Sequence, residues 1–445
     1  MIFNFLKYQK PIWYFNLMPS IDFGYFPTED QLLSENISIQ KDFRYQSSES
    51  INRDLAWRAF QSGFINKKYQ PGLNIWKKMK LPVEDEYLFL NKNVHKAWVF
   101  YVLIIRLLSF NNPFWEIKAY LKHRKVSRED YSKEIINYPE YENFESTLVN
   151  SKPMISVIIP TLNRYQYLKD VFRDLEKQTY KNFEVIVVDQ TDGYKEEFYK
   201  GWNLDLKHWF QEEKALWRAR NEAIKSAKGE LILLYDDDSL VEPDWIEEHL
   251  KCMDYFKADL SSGVSISVVG AEVPKNYNYF KWSDQLDTGN VLIKKKVFYK
   301  IGFFDLQFEK QRMGDGEYGL RCYLNGYKNI SNYKAKRIHL KVGEGGLRQM
   351  GSWDGWRPKK LLGPRPVPSV LYYARKYYKT KSSILMLMAN IIPSYIPYKF
   401  KRSKFLKVLS FLMIAFLLPL ILYQVITSWK LSNKKLKEVS KIQMS

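Results

Sequence analysis

Three consecutive aspartates, Asp236, Asp237 and Asp238, follow the apolar run LILLY at 231–235. Adjacent carboxylates repel one another and are costly to hold beside an apolar surface unless a cation or a donor-rich ligand neutralises them. Mg²⁺ and Mn²⁺ prefer oxygen ligands and commonly bridge carboxylates to a diphosphate. We therefore expect one of Asp236 and Asp238 to contact a ribose or a water and the other a divalent metal, with Asp237 orienting them or supporting them from behind. An acidic loop that caps the helix expected near Pro243 is the alternative.

The segment around this triplet alternates apolar runs with helical patterns. Runs at 154–160, 183–189 and 231–235 predict buried strands, and the segments at 164–178 and 215–229 have helical periodicity. Such strands between amphipathic helices are typical of a parallel sheet covered on both faces. We predict an α/β fold with a mostly parallel, Rossmann-like sheet.

Polar groups follow three of the predicted strands, in PTLNR (160–164), DQTDG (189–193) and DDDS (236–239). In such a sheet, ligands gather beyond the carboxyl ends of the strands. One pocket could therefore contain all three groups.

Five segments, in this order, resemble a family 2 glycosyltransferase with a GT-A fold. They are PTLNR, IVVDQTDG, ARNEAIKSAKGELILLYDDDS, GNVLIKK and MGDGEYGLRCYLNGY, and the resemblance covers about residues 153–342. It implies an inverting transferase that uses a nucleotide-diphosphate sugar as donor, with Mg²⁺ or Mn²⁺. We expect the acceptor to be a saccharide or a lipid-linked saccharide, and the product to be a surface polysaccharide.

The resemblance places the donor nucleotide beside these strand ends. Asp189 would hydrogen-bond the base, and Arg220 would reach the nucleotide or its diphosphate, because a guanidinium fork suits phosphate oxygens. The alternatives are that Thr161 and Asn163 cap the following helix and that Arg220 is a surface charge. The predicted donor-site residues are Pro160, Thr161, Asn163, Arg164, Asp189, Arg220, Asp236, Asp237 and Arg348.

An acceptor hydroxyl must lose its proton as it attacks the anomeric carbon, which calls for a general base. In the family, the base usually comes from an acidic pair on a helix, and the matching segment here is GDGEYGLR at 314–321. Gly314 and Asp315 replace the commoner Glu-Asp pairing. We predict Asp315 as the base and Glu317 as the second choice, with helix capping as the other role for Asp315.

The segment IHLKVGEGGLRQMGSW at 338–353 brings a histidine and a glycine-rich loop. His339 could be a third ligand of the metal beside Asp236 and Asp238, because a neutral imidazole can complete a carboxylate site. A structural histidine is the alternative. The glycines permit a mobile flap, from which Arg348 could fold over the diphosphate.

Two further groups concern the sugars. Gly289 and Asn290 resemble the family's acceptor-side strand, in which a small residue lets the sugar approach the backbone. Trp282 or Trp353 could stack on a sugar ring, although most of the 13 tryptophans must serve packing.

The chain is basic, with 69 Lys and Arg against 49 Asp and Glu and a formal charge of +20. From 408 to 426 it has no charged residue, which is near the length needed to span a bilayer, although Pro419 would kink a helix there. Nine of the basic residues and one acid lie from 401 to the end. We predict an anchor on the cytoplasmic face of the cell membrane that either spans the bilayer or lies on anionic lipid. A soluble buried helix is the alternative.

The two cysteines, Cys252 and Cys322, cannot form a disulfide framework and lack zinc-ligand spacing, which indicates a reducing compartment. No helix-turn-helix, zinc-finger or RNP-like pattern is present, so we expect no nucleic-acid partner.

We predict four segments along the chain. Two other functions stay open at this point: a nucleotidyltransferase of similar sheet architecture, and a non-catalytic basic scaffold that binds anionic lipid or nucleic acid. The segments are a mostly helical accessory region at 1–150, the GT-A catalytic domain at 151–345, a flexible loop and amphipathic helical region at 346–400, and a basic, hydrophobic membrane anchor at 401–445.

Overall fold

The computed structural model describes residues 2–67, 76, 79–266, 273–347, 354–396, 414, 416–438 and 441–444. The contacts within the chain divide it into two units. The first unit comprises Met1–Asn137 with Tyr378–Ala389, and the second comprises Tyr138–Tyr377 with Asn390–Ser445.

The first unit is helical and has an aromatic core. The rings of Phe3 and Phe89 stack with their centroids 3.9 Å apart. The buried Lys92 ammonium lies 2.7 Å from carboxylate oxygens of both Asp42 and Asp54, so this buried charge is paired. The helices are α1 (Leu6–Gln9), α2 (Glu29–Ser34), α3 (Ser48–Gln61), α4 (Val83–Asn93), α5 (Lys96–Leu108) and α6 (Pro113–His123).

The second unit is built on one nine-stranded sheet. Its strand order is β3-β2-β1-β4-β8-β6-β9-β5, and β7 pairs with β9. The strands are β1 (Ile155–Thr161), β2 (Phe183–Asp189), β3 (Asp205–Phe210), β4 (Leu231–Tyr235), β5 (Ser239–Val241), β6 (Leu260–Ile266), β7 (Lys281–Trp282), β8 (Asn290–Lys294) and β9 (Asn329–His339).

The α/β class predicted from the sequence is confirmed, and the sheet is mixed. Strands β1 to β4 pair in parallel and so do β6 and β9, whereas β8 runs antiparallel to both β4 and β6, and β9 is antiparallel to β5 and β7. The antiparallel pairings were not predicted because β8 is a continuous apolar run, and burial on both faces gives the same pattern whichever way a strand points.

Helices cover the sheet on both faces. One of them shows how an apolar helix face packs against the strands. The amphipathic helix α8 (Tyr165–Glu176) buries Leu168, Val171, Phe172 and Leu175 in the core formed with β1, β2 and β4. The remaining helices are α7 (Thr147–Asn150), α9 (Leu216–Ser226), α10 (Trp245–Tyr255), α11 (Lys295–Ile301), α12 (Gly314–Leu324), α13 (Pro368–Tyr395, with non-helical backbone at Lys379) and α14 (Leu418–Lys437).

The predicted membrane anchor is described only in part. Residues 401–413 and 415 lie outside the described part of the chain, and the rest of the uncharged segment continues into α14. None of the described helices combines the length and apolarity required to cross a bilayer.

Candidate active site

The acidic triplet occupies the turn between β4, which ends at Tyr235, and β5, which begins at Ser239. The carboxyl ends of β1 and β4 meet here, and Thr161 Oγ1 donates a hydrogen bond to Asp237 Oδ2 at 2.8 Å. The triplet does not cap α10, because the N-cap of that helix is Asp244 and makes no side-chain capping bond. The strand-end placement predicted from the sequence therefore holds for the triplet.

Protein cations already balance part of the triplet's charge. Asp236 lies between two buried arginines, with Oδ1 at 3.1 Å from Arg220 Nη2 and Oδ2 at 2.9 Å from Arg337 Nη1. Arg164 Nη1 reaches Asp237 at 2.8 Å and Asp238 at 3.0 Å. The sequence-based expectation that a metal and a ligand alone make the triplet tolerable is thus incomplete.

Arg337, on β9, is a residue of the candidate site that sequence reasoning missed. Besides Asp236, its guanidinium donates to Ser265 Oγ at 2.7 Å and to both carboxylate oxygens of Asp287, at 3.1 and 2.8 Å. The Asp287 and Asp236 carboxylates raise the pKa of Arg337 although burial acts against them, so this guanidinium stays charged. In the sequence, one feature indicates this role of Arg337: it precedes His339 by two positions, so the two side chains lie on the same face of the strand.

Asp236, Asp238 and His339 form a group of side chains that could bind a metal ion, which we call the metal-like set. In the register of β5 and β9, Ser239 is paired with His339, which places the imidazole beside Asp238. His339 Nε2 lies 3.3 Å from Asp238 Oδ1, a buried oxygen that accepts no hydrogen bond from the described residues. Ligand atoms of Asp236, Asp238 and His339 all lie within 4.8 Å of one another. Two carboxylates and an imidazole at this spacing fit a divalent cation.

Burial governs the protonation of the middle aspartate. Asp237 is almost fully buried, and burial raises the pKa of its carboxyl, against the lowering effect of the Arg164 charge. Arg164 also donates from Nε to the carbonyl of Glu344 and from Nη2 to that of Val342, both at 3.2 Å. It therefore ties the triplet to the loop that follows β9.

Two clefts meet at Asp236. The larger, of about 530 Å³, is lined by the triplet, Pro160, Arg164 and His339. The smaller, of about 80 Å³, is lined by Asp236, Arg220, Thr288 and Asp315. The metal-like set and the predicted base therefore line two clefts that share Asp236.

The two base candidates have different surroundings. Asp315 lies in the first turn of α12 and accepts a hydrogen bond from Gly316 N at 2.7 Å. It is not the N-cap, which is Met313, so the capping alternative is wrong. Glu317 is fully buried and both its oxygens accept hydrogen bonds from Arg321 Nε, at 3.0 and 3.1 Å. The structure therefore argues against Glu317 as the base.

Several predicted donor-site residues are engaged within the protein. Asp189 is buried and accepts hydrogen bonds from the hydroxyls of Tyr165 at 2.6 Å and Tyr199 at 2.8 Å. Neither Thr161 nor Asn163 caps α8, whose N-cap is Arg164, and Asn163 is exposed with a φ of 55°. The surface-charge alternative for Arg220 is wrong, because this residue is buried. Arg348 and Trp353 lie outside the described residues.

The acceptor-side interpretation of Gly289 and Asn290 is corrected. A Cβ on Gly289 would lie 2.2 Å from Asp236 Oδ2 and 2.4 Å from Arg337 Nη1, so this glycine makes room for an ion pair and not for a sugar. Asn290 is fully buried and bonds Trp245, His249, Val264 and Ala335. Trp282 is also buried, which argues against sugar stacking.

Residues 156–310 match the family model described as Glycosyl transferase family 2. This segment of the chain is similar to family 2 glycosyltransferases, so the resemblance predicted from the sequence is confirmed. Asp315, Arg337 and His339 lie beyond the matched residues.

The curated relatives that this chain matches share only part of their length with it. The glycosyltransferase GlyA of Streptococcus pneumoniae is 28% identical over 173 residues, which are 37% of this chain and 23% of that protein. The putative teichuronic acid biosynthesis glycosyltransferase TuaG of Bacillus subtilis is 30% identical over 111 residues, 24% of this chain and 44% of that protein. The chain thus spans less than half the length of either relative.

One solved structure similar to this chain is the mannosyltransferase PcManGT from Pyrobaculum calidifontis in complex with GDP-Man and Mn²⁺. The similarity has a TM-score of 0.43 at 15% identity and covers 67% of this chain and 93% of that chain.

Proposed function

We propose that the protein is an inverting, metal-dependent glycosyltransferase with a GT-A arrangement. It would move a sugar from a nucleotide-diphosphate donor to a hydroxyl of a saccharide or lipid-linked saccharide. The observation that carries this proposal is the position of Asp236 on the border of two clefts, with the metal-like set in one and Asp315 in the other. The donor and acceptor of a single displacement need that adjacency.

In the donor cleft, Asp236, Asp238 and His339 would hold Mg²⁺ or Mn²⁺. When bound, the ion would offset the charge that develops on the departing diphosphate. Arg220 and Arg337 fix the Asp236 carboxylate from both sides, so its orientation does not depend on the ligand. The larger cleft, at about 530 Å³, falls within the usual range for sites that bury a ligand of nucleotide size.

In the smaller cleft, Asp315 would accept the proton of the attacking hydroxyl. Of the two candidate carboxylates, this one borders the cleft, whereas Glu317 is held in an ion pair with Arg321 at 2.9 Å. A base on the side of the anomeric carbon opposite the diphosphate would invert the configuration in one displacement.

The C-terminal helix α14 supports association with the cytoplasmic face of a membrane. Its polar stripe is turned inward: Ser428 Oγ donates to the Pro366 carbonyl at 2.6 Å, and Arg375 donates to Ser432 Oγ at 2.8 Å. The apolar side chains Leu418, Leu422 and Ile426 are about half exposed. A helix with an outward apolar face and a terminal run of lysines suits an anionic lipid surface. The name of the TuaG relative, a putative teichuronic acid biosynthesis glycosyltransferase, supports a role in surface polysaccharide synthesis.

The direct test is turnover of the donor, in which water takes the place of the acceptor hydroxyl. The purified chain is incubated with Mn²⁺ and a panel of nucleotide sugars, and release of nucleoside diphosphate and thermal stabilisation are recorded. We expect one donor to give both signals, and Asp238→Asn to lose them. If no donor gives a signal and Asp238→Asn behaves like the wild type, the non-catalytic scaffold is the better description.

A further inference from the structure

The hairpin formed by α5 and α6 carries an exposed apolar surface. Its tip residue Phe110 is 98% exposed, Leu108 is 68% exposed and Phe114 is 65% exposed. On α5 the exposed residues Phe100, Ile104 and Leu108 are four apart and share one face, and on α6 Phe114, Ile117 and Leu121 share a face at spacings of three and four. We call these six residues with Phe110 the hairpin surface.

Phe110 occupies a position that favours glycine. Its φ of 56° is left-handed, and Phe110 N and Asn111 N donate to the carbonyls of Leu107 and Arg106 at 3.0 and 3.2 Å. These two bonds define the motif that commonly ends a helix with glycine in this conformation. A phenylalanine there strains the backbone, and at 98% exposure packing does not offset that strain.

The inner face of the hairpin is fixed, so the outer face is presented rigidly. Arg106 Nε donates to Glu116 Oε2 at 2.8 Å, which ties the two helices together, and Tyr87 OH donates to the same oxygen at 2.8 Å. Beneath them, Val99, Val102 and Ala119 are fully buried. The exposed side chains are therefore not an effect of loose packing.

The charge beside this surface is positive. Residues 96–125 contain six Lys and Arg and one acid, Glu116, a net charge of +5 from 6 − 1. Glu116 is buried with Arg106 and Lys122 is paired with Glu84 of α4, whereas Lys118, Arg124 and Lys125 are exposed. An aromatic, apolar surface bordered by cations fits the boundary between lipid headgroups and acyl chains.

We propose that the hairpin surface inserts into the headgroup region of an anionic bilayer, with Phe110 leading. This contact belongs to the first unit and is separate from the C-terminal segment. It does not rest on the proposed transferase activity.

A fluorophore at the hairpin tip tests the contact in the full chain. The native cysteines are both buried, so Phe110→Cys is the reactive thiol to be labelled with an environment-sensitive dye. The matched control is Phe43→Cys, since Phe43 is 78% exposed in the same unit and lies outside the hairpin surface. Phosphatidylcholine vesicles are added with and without phosphatidylglycerol, and some carry a nitroxide-labelled lipid.

With phosphatidylglycerol present, we expect a blue shift and nitroxide quenching at position 110 and neither at position 43. Vesicle binding without a change at 110 would overturn the proposal. So would a change at 110 that needs no vesicles and grows with protein concentration, because that result identifies a second copy as the partner. The Phe110→Gly variant removes both the backbone strain and the ring that would insert into the bilayer. We expect a higher Tm, since glycine accepts this φ, together with about tenfold weaker vesicle binding.

Discussion

Arg337 Nη1 lies 2.9 Å from Asp236 Oδ2, an ion pair that joins the last strand of the sheet to the first residue of the acidic triplet. Both residues also have other partners, because Arg220 holds Asp236 and Asp287 holds Arg337. The orientation of Asp236 is therefore set by residues that are far apart in the sequence.

The first prediction concerns this pair. Arg337→Lys leaves a charge but cannot bond Asp236, Asp287 and Ser265 together, because a single ammonium lacks the planar fork. We expect kcat/KM to fall about a hundredfold through misplacement of Asp236. The exposed pair Arg173–Asp170 offers the control, and Arg173→Lys should keep wild-type kinetics. Unchanged activity in Arg337→Lys would show that Asp236 needs no such support.

The second prediction concerns Gly289. Alanine there would press a methyl group against Asp236 and Arg337, so we expect the free energy of unfolding to fall by about 1–3 kcal/mol. In Gly316→Ala the new methyl meets only Met313 Cε, at 3.5 Å, within a helix. That variant should be at least as stable as the wild type, because alanine is a better helix former than glycine. Denaturant unfolding of the two variants measures the difference.

The third prediction separates chemistry from binding. Asp315→Asn removes the proposed base without changing its size, so we expect turnover to fall by about 10²-fold or more. Affinity for the nucleoside diphosphate, measured by calorimetry, should stay within error. The exposed Asp244→Asn should retain turnover. Full activity in Asp315→Asn would move the base to another carboxylate.

The fourth prediction concerns the metal. We expect a chelator to abolish the thermal stabilisation that a nucleoside diphosphate gives with Mn²⁺, and added Mn²⁺ to restore it. His339→Ala should require more Mn²⁺ for half of that stabilisation, since one ligand is lost. His95→Ala, at an exposed histidine in the first unit, is the control. Identical Mn²⁺ titrations of both variants would remove His339 from the site.

The fifth prediction concerns pH. His249 is buried between Ser261 Oγ at 2.9 Å and Asn290 Oδ1 at 3.0 Å, and burial lowers its pKa from 6.5 to about 4. The unfolded chain therefore binds a proton that the folded chain rejects between these two pH values. Stability present above pH 6.5 should decline towards pH 4, by about 3 kcal/mol.

His249→Gln should make stability vary less with pH over that interval, whatever its effect at neutral pH. The measurement is denaturant unfolding at several pH values between 4 and 7. An equally steep dependence in wild type and variant would assign the proton to another group.

The sequence predicts those parts of the site that follow from local pattern. Asp236 to Asp238 come directly after an apolar run, and the carboxyl ends of parallel strands meet at one edge, so their meeting with Thr161 is foreseeable. Arg337 is not, because it lies 101 positions after Asp236 and an arginine on a strand usually faces solvent. Its role depends on the pairing of β9 with β5 and β6, which no local pattern specifies.

The same limit explains the corrections. The sequence NVLIK does not indicate the direction of β8. For that reason the burial of Asn290, and its hydrogen bonds with Trp245 and His249, could not be inferred. Gly289 was noticed as a small residue, but what occupies the space beside it is a long-range partner. A glycine indicates that another group comes close to the backbone, whereas the topology of the sheet decides which group that is.

Three guanidinium groups, those of Arg164, Arg220 and Arg337, face the aspartates of the triplet before any ligand arrives. Folding of the domain should therefore not depend on an inorganic partner. If the proposed metal dependence holds, a cell short of manganese would keep a reserve of intact but idle molecules, which would resume work once the ion returned and need no new synthesis.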